Sequence, residues 1–270
     1  MKSGLKLGWF ALAILFVASF FGIDGLSVLA AGKRPSVGPS TTQSTSAVVT
    51  TPRAEAAPTG GAAISGKVTL SGTAPAREKI KMAADPACMQ QHPDVVLKQD
   101  VVANNGSLQY VLVYVKEGLQ GTFPAPAEAV TINQTGCMYE PHVFGIQVGQ
   151  KLEITNGDPT LHNINCQATN NKKFNIAQPT KGMKSTKSFD QPEVGVPFKC
   201  NVHPWMAAYA GVFSHPFFAV TDANGAFSIK GLPAGTYTLE AWHEKLGTQS
   251  QKITVADGET KELNLSFSGK

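Results

Sequence analysis

Cys200-Asn-Val-His203-Pro-Trp-Met206 places a thiol, an imidazole and a thioether within seven residues, and Asp158-Pro-Thr-Leu-His162-Asn-Ile164 supplies a second imidazole upstream. One thiolate and two imidazole nitrogens in a plane, with a weak axial thioether, are the donors of an electron-transfer copper centre. Three donors on one short loop, with the fourth 38 positions earlier, suit a β-sandwich whose strands end side by side. Singly, a His in a β protein is commonly a surface residue and a Met a core residue. The joint spacing of His162, Cys200, His203 and Met206 is what points to a metal. Zinc accepts Cys and His, but thioether is a poor zinc ligand and structural zinc prefers paired Cys. One mononuclear type 1 copper is therefore the expected cofactor.

The flanking chain is β throughout. Ile64–Leu70 and Leu108-Gln-Tyr-Val-Leu-Val-Tyr-Val115 are rich in β-branched and aromatic residues and bounded by Gly, Asn and Pro. Val143–Asn156 carries Gly149-Gln150 as a turn between two alternating stretches. Glu193–Phe198 leads into Cys200, and Ala210–Val220 leads out. No helical periodicity longer than a turn or two stands out.

Of the 270 residues, the first 60 are read as unfolded or removed. Two lysines precede the apolar run Leu7–Ile23, and small residues follow near Ala30 and Ala31. Residues 1–31 are thus a cleaved signal peptide or an uncleaved N-terminal membrane anchor. No Cys near the cut supports a lipid anchor. Either reading exports the body to the periplasm or cell surface. Residues 32–60, rich in Ser, Thr, Ala and Pro, read as a flexible linker with too little apolar surface to fold. Residues 1–60 hold five of the 23 Lys+Arg and two of the 19 Asp+Glu, leaving 18 against 17 beyond them. So neutral a body, without a basic stripe, excludes nucleic acid as a partner.

The last fifty residues contain Thr221-Asp-Ala-Asn-Gly-Ala-Phe-Ser-Ile229 and Leu232-Pro-Ala-Gly-Thr-Tyr-Thr-Leu239, alternating strands around Asn-Gly and Pro/Gly turns. This tail resembles the carboxypeptidase-regulatory-like, or transthyretin-like, β-sandwich. The strand at Gly66–Leu70 resembles the first strand of that sandwich, which would make the metal region an insertion. Residues 98–216 resemble a cupredoxin. Cys-x₂-His-x₂-Met with Pro204 is similar to the ligand loop of amicyanin, and Asn156–Asn163 to the first-ligand segment of plastocyanins and amicyanins. The expected fold is all-β: a cupredoxin-like Greek-key β-sandwich over 61–217, plus a smaller transthyretin-like sandwich over 218–270, with the strand near 64–70 shared.

The cupredoxin resemblance implies further roles. The Asn163 backbone N–H would reach the Cys200 sulfur and tune it. His203, flanked by Pro204 and Trp205, would be a partly exposed edge for electrons, where a redox protein docks transiently. Multicopper enzymes that feed a second copper centre place His beside the Cys. Here Lys199 and Asn201 flank it, so a non-enzyme is expected. Copper storage or delivery, or a surface carbohydrate- or protein-binding module with a structural copper, are the competing functions.

The four cysteines leave alternatives. Two disulfides are the ordinary expectation in an exported chain and would sequester Cys200. A single Cys88–Cys137 bridge is favoured; it leaves Cys200 free and Cys166 buried or near the metal. Cys88-x₃-His92 with Cys137-x₄-His142 is a weaker second metal site. Trp242-His243-Glu244 ends a strand, at a polar strand end or near the copper end.

Overall fold

The computed structural model describes residues 61–269. The signal or anchor and linker expected over 1–60 lie outside the described residues. Nineteen strands and one short helix form four sheets among the described residues.

The first sheet joins β1 (Ala62–Ser71), β2 (Ala103–Asn104), β3 (Ser107–Leu108), β15 (Ala226–Leu232), β18 (Thr260–Glu262) and β19 (Leu265–Ser268). The second runs β14-β4-β16-β17, from β14 (Phe218–Val220) and β4 (Leu112–Glu117) to β16 (Gly235–His243) and β17 (Gly247–Val255). The third runs β11-β8-β5-β6: β11 (Lys184–Lys187), β8 (Leu152–Asn156), β5 (Val130–Thr135) and β6 (Met138–Glu140). The fourth runs β10-β9-β12-β13-β7: β10 (Phe174–Gln178), β9 (His162–Cys166), β12 (Glu193–Lys199), β13 (Ala207–Phe213) and β7 (Val143–Gln147).

Alternating apolar residues pair these sheets. Ile64, Val68 and Leu70 of β1 meet Phe227 and Ile229 of β15 and Val113, Leu239 and Val255 of the second sheet in one core. Ile132, Ile154, Ile164, Phe198 and Val212 join the third and fourth sheets in another. β1 and β4, at the front of the 61–217 span, hydrogen-bond with strands of the 218–270 span, and β3 and β2 extend the first sheet from β1. The sandwich holding Cys200 is accordingly built from β5 to β13.

β4 explains why Val111–Val115 reads as an unbroken apolar run. Val113 and Val115 face the first core. Leu112 and Tyr114 face the opposite way and pack with Val143 and Phe213 of the fourth sheet. Burial on both faces removes the polar half of the alternation.

Two expected strands are interrupted. Tyr110 adopts φ +65 and breaks Leu108–Val115 into β3 and β4. Its hydroxyl accepts a hydrogen bond from Gln99 at 3.0 Å. Ala210–Val220 divides at Ser214–Phe217, where the chain leaves the fourth sheet for the second.

The helix α1 (Pro86–Gln91) sits in a loop whose base is closed by the Lys79–Leu97 bridge and by Ile80 N–H donating to Val96 O at 2.9 Å. Asp85 caps it, accepting from Ala87 N–H at 2.8 Å, and Pro86 opens it. An Asp cap before a Pro is a helix-start signal.

Candidate metal centre

Three elements deliver the candidate donors. β9 begins with His162, β12 leads into Cys200, and the tight loop to β13 holds His203 and Met206. Met206 N–H donates to His203 O at 3.0 Å and Cys200 N–H to Met206 O at 3.3 Å, closing that loop on itself. All four side chains are buried.

The donor atoms of His162, Cys200 and His203 lie within 4.8 Å of one another. His162 Nδ1 and His203 Nδ1 are 2.9 Å apart, and Cys200 Sγ is 3.8 Å from His203 Nδ1. The outer nitrogens face carboxylates: His162 Nε2 lies 2.9 Å from Asp158 Oδ2, and His203 Nε2 lies 2.9 Å from Asp85 Oδ2. A carboxylate accepts only, so each Nε2 carries a proton and each Nδ1 is turned inward toward the other ring. Met206 is buried among Cys200, Phe198 and Ala208 in the same core.

Asp158 is itself held. The hairpin between β5 and β6 turns at Gly136 and Cys137, with φ of +58 and +53. Two successive left-handed residues make the turn that fits the strand twist. Their N–H groups converge on Asp158, Gly136 at 2.9 Å to Oδ1 and Cys137 at 2.7 Å to Oδ2. Asn156 Oδ1 accepts Asp158 N–H at 2.9 Å, an Asx turn that sets the loop before His162. Burial opposes the Asp158 charge, but the His162 and amide hydrogen bonds outweigh it and lower its pKa.

The cysteine sulfur is poised as an anion. Burial opposes ionisation of Cys200, yet the hydrogen bond with His162 and the backbone amides of Asn163, His203 and Val202 bring its pKa down to about 6. Burial likewise opposes charge on His162, while Asp158 and Cys200 lift it to about 9. Asn163 acts with its side chain as well: Oδ1 accepts Asn201 N–H at 2.7 Å and lies 3.4 Å from Cys200 Sγ. Tyr139 fixes that residue by donating its hydroxyl to Asn163 O at 2.5 Å. Asp85, Asp158 and Tyr139 were not legible as site residues. The one signal was Asp158 standing four residues before His162, where a short loop returns it to the ring.

His203 departs from the partly exposed edge that the resemblance implies: it is 1% exposed. Its neighbour Val202 is 45% exposed. The cover is Asp85 with Cys88, whose sulfur lies 3.6 Å from His203 Nε2. Trp205, half-buried, stacks obliquely on His203 with ring centroids 5.1 Å apart and donates Nε1–H to Cys137 O at 3.0 Å.

The cysteines resolve as one bridge, Cys88–Cys137, with Cys166 and Cys200 free. The bridge removes the second metal site. His92 instead faces Gly136 O at 2.5 Å, and His142 faces Glu244 Oε1 at 2.5 Å and Ala207 O at 3.0 Å. Cys166 lies in the core, where burial pushes its thiol up to about 11. Glu244 therefore ties the tail to the fourth sheet through His142, and Trp242 packs on Tyr209 with centroids 5.5 Å apart.

The donor set fits copper: a low-pKa thiolate, two inward-facing imidazole nitrogens and a buried thioether, all in an apolar surround.

Residues 213–268 match the carboxypeptidase regulatory-like domain. None of the curated proteins matches the chain. Among solved structures the chain resembles cupredoxins. A purple cupredoxin from Nitrosopumilus maritimus is 26% identical over 30% of this chain and 97% of its own, with a TM-score of 0.27. A Cu(I) amicyanin mutant is 18% identical over 37% and 97%, at 0.28. A copper nitrite reductase from Thermus scotoductus is 23% identical over 37% of this chain, at 0.30, and only 25% of its own length is spanned. These overlays are partial, and the metal reading rests on the donor atoms of this chain.

Proposed function

We propose that this protein is an exported, non-enzymatic carrier of single electrons, holding one type 1 copper with His162, Cys200, His203 and Met206. When bound, copper would supply a Cu(II)/Cu(I) couple. The carrying observation is the pair of Nδ1 atoms facing each other beside the Cys200 sulfur, each imidazole fixed from behind by a carboxylate.

The chain's residues do the holding. Asp158 and Asp85 set the rings, Asn163 and the loop amides steady the sulfur, and the pairing of β12 with β13 holds the loop's two ends together. Donors fixed this way need little rearrangement between oxidation states. A redox protein docking near Pro204 and Trp205 is the proposed partner. Storage or delivery is disfavoured because the donors are buried rather than presented on an open tract.

Adding Cu(II) to the purified protein tests the reading. One equivalent should produce an intense visible thiolate-to-copper band that Cys200→Ser abolishes. A colourless protein with a free Cys200 thiol would overturn it.

A further inference from the structure

Building on the copper reading, we propose that Asp85 positions His203 for the metal, and that residues 79–97 form a fixed lid over the site. A single disulfide locks this lid to the holder of the other histidine.

His203 stands in a loop that reaches solvent on both sides, at Val202 and Pro204. The loop cannot bury the ring by itself. The cover comes from residues 79–97, whose ends meet at the Lys79–Leu97 bridge in the manner of a compact surface loop. Met82 and Cys88 anchor its interior in the core of the copper-type sandwich.

Asp85 is constrained from three directions. Oδ1 is engaged by Ala87 N–H at 2.8 Å, and Oδ2 is shared by His203 Nε2 at 2.9 Å and Thr160 Oγ1 at 3.0 Å. A carboxylate so held leaves the imidazole one tautomer and one ring orientation. Without it either nitrogen could carry the proton and the ring could turn toward solvent.

The placement of the disulfide completes the argument. Cys88 follows Asp85 by three residues on the same capped turn, and Cys137 donates its N–H to Asp158. Cys88–Cys137 therefore joins the holder of His203 to the holder of His162. Such a cover would also keep small anions from reaching a bound metal past His203.

Asp85→Ala, Asp85→Asn and the Cys88→Ser/Cys137→Ser pair test the lid in the full chain. Long-range proton–nitrogen NMR of the metal-free protein should find His203 as a single Nε2–H tautomer in the wild type and as a mixture in Asp85→Ala. With Cu(II), affinity should fall about 10- to 100-fold, the usual cost of losing a partner behind a metal-binding histidine. Azide should perturb the EPR spectrum of the variants and leave the wild type unchanged. Asp85→Asn keeps a cap for Ala87 and should move in the same direction, which covers the case in which the Ala variant fails to fold. An unchanged tautomer, with affinity within twofold, would overturn the role of Asp85. Wild-type protein that gives no copper band sinks the copper reading instead, while the tautomer measurement still judges Asp85.

Discussion

His162 Nδ1 and His203 Nδ1 face each other at 2.9 Å, with both outer nitrogens already committed to carboxylates. Two inward lone pairs repel unless a cation lies between them. In the metal-free protein a proton on His162 fills that role, in keeping with its raised pKa of about 9 beside the Cys200 thiolate. A metal ion bound there would displace that proton, so loading should release protons.

Asp158→Ala should weaken Cu(II) binding about 10- to 100-fold. It should also destabilise the metal-free protein by about 2–4 kcal/mol, since the half-buried Gly136 and buried Cys137 amides lose their acceptor. Copper titration and urea unfolding check the two effects separately. A variant as stable as wild type would show that Asp158 does not hold the hairpin.

Removing the disulfide with Cys88→Ser/Cys137→Ser should cost about 4 kcal/mol, the loop-entropy value for a closed loop of this size. The two cysteines are 49 residues apart. Chemical denaturation of the metal-free double variant measures it.

His243 supplies a pH dependence remote from the copper donors. Burial, first among its causes, brings its pKa from 6.5 to about 4. Its folded pKa lies below the unfolded one, so the unfolded chain takes the proton first. Stability is complete above pH 6.5 and is lost as pH falls through the window down to 4, by about 3 kcal/mol. Urea midpoints of wild type and His243→Gln, compared across that window, should diverge. Parallel pH profiles would refute the assignment.

Leu112→Ala should destabilise by about 2–5 kcal/mol, as expected for truncating a fully buried Leu. Leu112 is wholly buried, packed with Val143 and Phe213 between two sheets. Thermal or urea unfolding gives the number. A cost below about 1 kcal/mol would mean that the two sandwiches do not share this core.

Much of the fold and part of the site were legible. Alternation at Phe227/Ile229 and Tyr237/Leu239 marks strands because each buries one face. The donor residues were legible because a short loop brings Cys200, His203 and Met206 together whatever the rest does. Asp85 was hidden because it reaches His203 across 118 positions, through a loop that no periodicity announces. The break at Tyr110 was hidden for a similar reason: its N–H donates to Thr221 O, a partner far along the chain that no neighbour in sequence announces. The burial of His203 followed from Asp85 and so was hidden with it.

The pairing of β1 has a consequence for assembly during synthesis. Ala63 aligns with Thr260 and Val68 with Leu265, nearly two hundred positions later. Apart from the short contact with β3, the strands that complete that sheet all lie beyond residue 225, so β1 emerges from the ribosome long before most of its partners exist. The β5–β13 sandwich, by contrast, is contiguous in sequence and has its own core. The copper-type region is therefore expected to fold first, while β1 waits as an open edge until the last strands arrive.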